Sequence, residues 1–364
     1  MRYSDASLSI YAAALGAVPS SNYEVTVNGQ PVFVHECAVG SYAIFSFEGI
    51  VSITVTTHAP IQSAVVRPQS RRIESVVDGA SLTFAIDQPG ALFLEVACLS
   101  LPLMIFANPL EADVPDADDP SVRYFAAGRI YDAGLIELTS NETLYIEGGS
   151  VVKGWVHSAD SDNVSIRGRG VLDGSEYPRS EQRQIHFESC RNVAIEGIAS
   201  VGTPCWNTVI VACDDVAINN TKHIGWVVGS DGIDICGSND VHITHSFFHT
   251  NDDCVVIKAT PGGTQDPKRL LAGCRNVRNV LIEHCVMYNN NAGNVMEIGF
   301  ETRCNSISGI AFRDIDVIGG HGEGGVFTIH NGDRATISDV LYEDIRVEHF
   351  YDKLVDFRIM HSRW

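Results

Sequence analysis

No apolar run in this chain approaches the roughly 20 residues that a membrane span needs. Positive charge is scarce, since 25 Lys and Arg face 45 Asp and Glu in 364 residues, a formal charge of -20. That balance excludes nucleic acid as a partner, because affinity for phosphate backbones comes from clustered Lys and Arg. It also disfavours a polyanionic substrate unless a local basic pocket overrides the global field. No CxxC pair occurs among the ten cysteines, and none of the 13 histidines sits in an HExxH or similar spacing, so neither a metal centre nor a cofactor is expected. A chain of this size needs no disulfide framework. The stretch Leu8 to Val18 is faintly apolar, but Asp5 precedes it and Arg2 is its only basic flank, so it does not read as a signal peptide. Localisation stays open between the cytoplasm and secretion with a leader removed.

What is present is an ample core, 45% hydrophobic. Up to Pro109 the apolar segments are short and alternate with Gly, Pro and Asn: Tyr23 to Val27, Tyr42 to Phe47, Ile50 to Thr56, Ser81 to Ile86 and Ala91 to Val96. Aromatic and β-branched residues at near-alternate positions predict a small antiparallel β-sandwich over residues 1–109. The acidic, proline-bearing stretch 110–120, LEADVPDADDP, reads as a linker.

From residue 121 to 364 one theme recurs: NVSI at Asn163, NVAI at Asn192, DVAI at Asp215, DVHI at Asp240 and NVLI at Asn279, with weaker copies at Gly309 and Asp339. The positions Val164, Val193, Val216, Val241, Val280, Ile310 and Val340 lie 23 to 39 residues apart. Each unit is a turn residue, an alternating apolar strand and then Gly or Asn, with no 10-residue helical pattern between units, which excludes a doubly wound α/β fold. Stacked coils of short parallel strands remain, with those seven side chains pointing inward. A β-propeller wants longer, antiparallel blades. Cys190, Cys213 and Cys236, 23 residues apart, suggest a buried ladder of stacked thiols. The final segment, Lys353 to Trp364, still reads as strand with no polar cap after it, so either more chain or a second subunit is expected to cover it, and a homo-oligomer is possible.

Chemistry concentrates in Ser230 to Lys258. Asp231 stands in SDGID and the pair Asp252-Asp253 in NDDC, 21 residues on from Asp231 to Asp252 and so about one coil. Equivalent residues of stacked coils lie roughly 4.8 Å apart, which places Asp231 over Asp252 on one face. Adjacent Asp252 and Asp253 can share a face only where the chain turns a corner. Carboxylates gathered in one groove repel and keep a proton near neutral pH, the requirement of glycoside hydrolysis, where one carboxyl protonates the leaving oxygen and another activates water. Lys258, Glu297, Glu301 and Arg303 flank this groove as candidates to bind sugar hydroxyls, and Trp206 as a platform for a sugar face. The long loop Thr260 to Arg275 directly after the acid pair is placed to wall one end of the groove, a hint of exo action.

SDGIDI followed one coil later by NDDCVVIK resembles the N(T)DG and (G)DDC motifs of the polygalacturonase family, glycoside hydrolase family 28, and less closely the dextranase and isopullulanase group, family 49. GRGVLDG at Gly168 and the coil Ser200 to Ile218 also have counterparts there, and a sandwich before the helix is more like family 49. The resemblance implies a right-handed parallel β-helix, Asp252 as general acid, Asp231 and Asp253 holding the hydrolytic water, inversion at the sugar and no metal. It also marks departures: the family's Gly-His-Gly aligns with Gly293-Asn294-Val295, so Asn294 replaces the histidine, and its Arg-Ile-Lys has no match except His330 in GGVFTIHNGD. Without that uronate-neutralising pair a neutral sugar is expected. A calcium-dependent polysaccharide lyase and a non-catalytic adhesin or binding module are the alternatives from other classes.

Overall fold

A computed structural model describes residues 6–97, 99–179, 182–262 and 271–361. Two sheets come first. One holds the strands Ser7–Ile10, Val34–Cys37, Gly40–Glu48, Ala64–Arg67, Gly90–Val96 and Leu103–Pro109; the other holds Tyr23–Val27, Gln30–Val32, Val51–Thr57, Ser75–Asp78 and Ser81–Ile86. They enclose a core that includes Val25, Phe45, Ile53, Leu82, Leu92 and Ile105. The antiparallel expectation needs one amendment, since Leu103–Pro109 runs parallel to Gly40–Glu48, Leu103 opposite Ser41 and Pro109 opposite Phe47. Both strands are buried on both faces and so carry continuous apolar runs. Their second face, with Tyr42, Ile44, Phe93 and Phe106, packs against Val171, Val201, Ile224 and Phe247 of the sheet that follows. Buried Lys222 fastens that contact by donating to Asn108 Oδ1 at 2.5 Å and to the carbonyls of Asn220 and Gly197 at 2.6 and 3.0 Å.

The rest of the described chain is a right-handed parallel β-helix whose 23 strands pair in three columns, each strand bonding to its equivalent one coil away. The recurring apolar position stacks as the spacing predicts: Val164 opposite Val193, then Val216, Val241, Val280, Ile310 and Val340. The preceding turn residue explains the motif, because Asn163, Asn192, Asp215, Asp240, Asn279 and Asp339 all have φ between 53° and 62°. Among residues with a Cβ, Asn and Asp tolerate this left-handed conformation best, and their amides bond along the stack, Asn192 Nδ2 to Asn163 Oδ1 at 2.7 Å.

The thiol ladder is shorter than expected. Cys190 and Cys213 stack, but the next coil places Ser238 there, its hydroxyl accepting the N–H of Cys213 at 2.9 Å. Cys236 stands two residues earlier, opposite Val211, and packs outward beside Trp206 and Ala272. Three Cys at equal sequence spacing fail to stack because the coils differ in length by those two residues. The final strand, Lys353–Ile359, leaves Val355, Phe357 and Ile359 exposed.

Candidate active site

The corner ahead of the third column builds the site. The strand Phe247–Thr250 ends and Val255–Ala259 begins, so residues 251–254 turn and both acids of the pair face one cleft. Ile233 lies opposite Val255, an offset of 22, which stacks Asp231 on Asp253; the expected pairing of Asp231 with Asp252 is corrected by one residue. Continuing the register puts Trp206 before Asp231 and Asn294 after Asp253. Asp252 projects beside this column, Oδ2 accepting the N–H of Gly229 at 3.0 Å and Oδ1 its neighbour's N–H at 3.1 Å. Gly293 leaves the room: a Cβ there would stand 2.5 Å from Asp252 Oδ1. One oxygen from each of Asp231, Asp252 and Asp253 lies within 4.8 Å of the other two.

Burial raises the pKa of all three. Asp231 and Asp253 are held well above the carboxylate range, burial leading, followed by repulsion from Asp234 in the first case and from Asp252 in the second. Asp252, partly exposed, is raised less, since the Lys258 ammonium and the two backbone donors oppose its desolvation. Lys258 is the counter-ion, its Nζ 2.9 Å from Asp234 Oδ1, 3.4 Å from Asp231 Oδ2 and 4.0 Å from the Trp206 ring centroid. Burial works against that charge, but Asp234 and Asp231 hold it well above the usual lysine range. With one ammonium among four acids, the cluster retains protons and titrates as a unit.

The cleft encloses about 650 Å³ and is lined by the three aspartates together with Trp206, Lys258, Asn294, Glu301 and His330. Asn294 donates its backbone N–H and its amide to Asp253 Oδ1 at 2.7 and 3.1 Å, so the residue in the family's histidine position fixes a carboxylate. Glu297 lies beneath the lining, fully buried, with both oxygens 3.0 Å from His330 Nδ1. Trp206 is no bare platform, because the Arg183 guanidinium also sits 4.4 Å from its ring centroid. Arg303 is not brought into the cleft: it lies 3.9 Å from Asp333 beside Leu271 and Cys274. A bulge moves it there, since Ile257 pairs with Ile298 but Ala259 with Thr302, and the extra residues carry Arg303 past the next corner. The loop expected to wall the groove lies largely outside the described residues, at 263–270.

Sequence reasoning missed Asp234, Asp356 and Arg358. Asp234 was within reach, because Ile233 and Ile235 point inward and Asp234 between them must point out. Asp356 is ion-paired with Arg358 two residues on in the same strand at 2.5 and 2.6 Å, and it lies 3.4 Å from His330 Nε2 of the preceding coil, a contact that no local motif announces. A second cavity, of about 570 Å³, opens where the sandwich meets the β-helix beside Phe93, His249 and Tyr288; the single carboxylate in its described lining, Glu95, cannot form an acid–base pair.

The sequence profile of glycosyl hydrolases family 28 matches residues 129–355, well over half of the chain, including Asp231, Asp252 and Asp253. The chain belongs to glycosyl hydrolases family 28. It is 28% identical over 113 residues to a probable polygalacturonase of Arabidopsis thaliana, a match that covers 29% of this chain and spans only 25% of that relative. It is 23% identical to a probable endopolygalacturonase D of Neosartorya fischeri, over 95% of this chain and 68% of the relative. In fold it is similar to Dex49A from Penicillium minioluteum, with a TM-score of 0.67, 14% identity, and 95% and 86% of the two chains covered, so the likeness takes in the sandwich as well as the β-helix.

Proposed function

We propose that this family-28 hydrolase cleaves a neutral oligo- or polysaccharide with inversion, Asp252 protonating the leaving oxygen while Asp231 and Asp253 hold the attacking water. The convergence of three carboxylates in one cleft supports the acid–base assignment. Burial by the protein alone favours the proton on Asp231 or Asp253, and the mechanism needs it on Asp252. A bound sugar supplies the shift: it desolvates the partly exposed Asp252, while the water held below donates to Asp231 and Asp253 and favours their ionised forms. On this reading residues 1–109 form the sandwich unit, 110–120 the linker and 121–364 the catalytic β-helix.

The neutral-sugar reading rests on charge. Every Lys and Arg of the described lining already meets a carboxylate: Lys258 meets Asp231 and Asp234, Lys353 meets Asp352, and Arg358 meets Asp356. Among the described residues no lining Lys or Arg is left over for a uronate. One observation favours the second reading, an acidic sugar. The exposed Arg179 reaches the rim beside Gly229 and acts electrostatically on Asp252, and the relatives above are named polygalacturonases. Purified protein is incubated with glucans, fructans, galactans and polygalacturonate, and new reducing ends are read. Release from a neutral polymer is expected; release from polygalacturonate alone, lost in Arg179→Gln, establishes the acidic substrate instead.

A further inference from the structure

We infer that His157, His186 and Glu188 form a binding site for a divalent transition-metal ion of the zinc type, on the outward face of the third strand column. His157 lies opposite His186 in the next coil, and Ala159 opposite Glu188. His186 and Glu188 are two residues apart in the strand Ile185–Glu188, so they share one face, and His157 reaches them from the preceding coil. His157 Nε2 and His186 Nε2 each stand 3.5 Å from Glu188 Oε1, and the three ligand atoms all lie within 4.8 Å of one another. Bonds of about 2.0–2.2 Å to a tetrahedral zinc place ligand atoms about 3.3–3.5 Å apart, so two edges of the site are already near their final length.

A fourth residue orients the set. Glu137, one coil further back and opposite His157, brings both carboxylate oxygens to His157 Nδ1 at 3.1 and 3.0 Å. Nδ1 thereby keeps its proton, and with an ion in place Nε2 gives its lone pair to the metal, the carboxylate–histidine–metal arrangement that fixes a ligand's tautomer. Two imidazole nitrogens and one carboxylate suit zinc, nickel or cobalt and not calcium, which takes six to eight oxygens. The register runs from His186 through Val209 to Asp234, two coils and so roughly 10 Å along the axis. An ion there clamps consecutive coils upstream of the cleft and leaves its fourth position to water. It does not touch the acids.

The competing arrangement is a protonated His157 held between Glu137 and Glu188. Full-length protein stripped with EDTA and titrated with Zn²⁺ by calorimetry distinguishes the two. One equivalent is expected to bind, the melting temperature to rise with Zn²⁺ concentration, and Co²⁺ in its place to give the intense visible bands of a tetrahedral site. His157→Gln and His186→Gln should each weaken binding by more than the ~10–100-fold that loss of an outer partner costs, and Glu137→Gln by about that amount. Should a histidine variant fail to fold, the exposed Glu137 substitution decides the matter alone. Absence of stoichiometric binding to the stripped protein, or binding that all three substitutions leave unchanged, overturns the assignment.

Discussion

Replacing Asp252 by Asn changes one atom and separates chemistry from binding. The carboxylate now accepts two backbone N–H groups, from Gly229 and Asp253. An amide keeps one of these bonds and turns its NH₂ toward the other donor, so a stability loss of about 1–3 kcal/mol is expected, small enough to leave the protein folded. The proton donor is gone, and general acid catalysis contributes about 10²- to 10⁴-fold, which is about 2.7–5.4 kcal/mol of barrier. kcat should fall by that factor with KM hardly moved, measured as reducing ends released under saturating substrate. An aryl glycoside with a good leaving group needs no proton on departure, so the defect should shrink sharply on it. The charge of Asp252 also helps to raise the pKa of Asp253. Its removal lets Asp253 ionise more readily, and the acid limb of the residual pH profile moves to lower pH. Wild-type kcat in the folded variant, or an equal loss on natural and activated substrates, would refute the role of Asp252 as acid.

An NMR time course of the first product should show the inverted anomer; retention would mean that an aspartate attacks the sugar directly. Lys258→Met leaves Asp231 and Asp234 buried without their counter-ion, so urea unfolding should show a loss of about 3–5 kcal/mol, and the acid limb of activity should move to higher pH as Asp231 loses the ammonium that lowers its pKa. Burial opposes the charge on His330, but Glu297 and Asp356 outweigh it and raise its pKa above the ordinary histidine value of 6.5. Protonated His330 therefore stabilises the fold fully below that value and ceases to do so as pH rises through its raised folded pKa; the stability gap between wild type and Glu297→Gln should narrow over that range, and a gap that widens with pH contradicts the pairing. Asn192 has φ 54°, so Asn192→Val should cost about 1–2 kcal/mol in thermal melts while Asn192→Gly stays near neutral.

The recurrence of Asn or Asp before a valine was enough, by itself, to determine the β-helix. It joins a residue that tolerates positive φ to one that fills a core, and both requirements act locally in every coil. The aspartates at 231, 252 and 253 were legible for the same reason, since a turn between strands shows in a few adjacent residues. Tertiary structure alone decided the register. Asp231 meets Asp253 and not Asp252, Cys236 leaves the thiol ladder, and a bulge carries Arg303 away from the cleft, each because coils differ by one or two residues whose placement depends on the neighbouring coil. The partners of Lys258 and His330, and the meeting of His157 with His186 and Glu188, arise from strands stacked a full coil apart. Such contacts join residues roughly 20 to 40 positions apart in sequence at the roughly 4.8 Å spacing of paired strands, and a spacing that varies from coil to coil leaves no fixed motif to read.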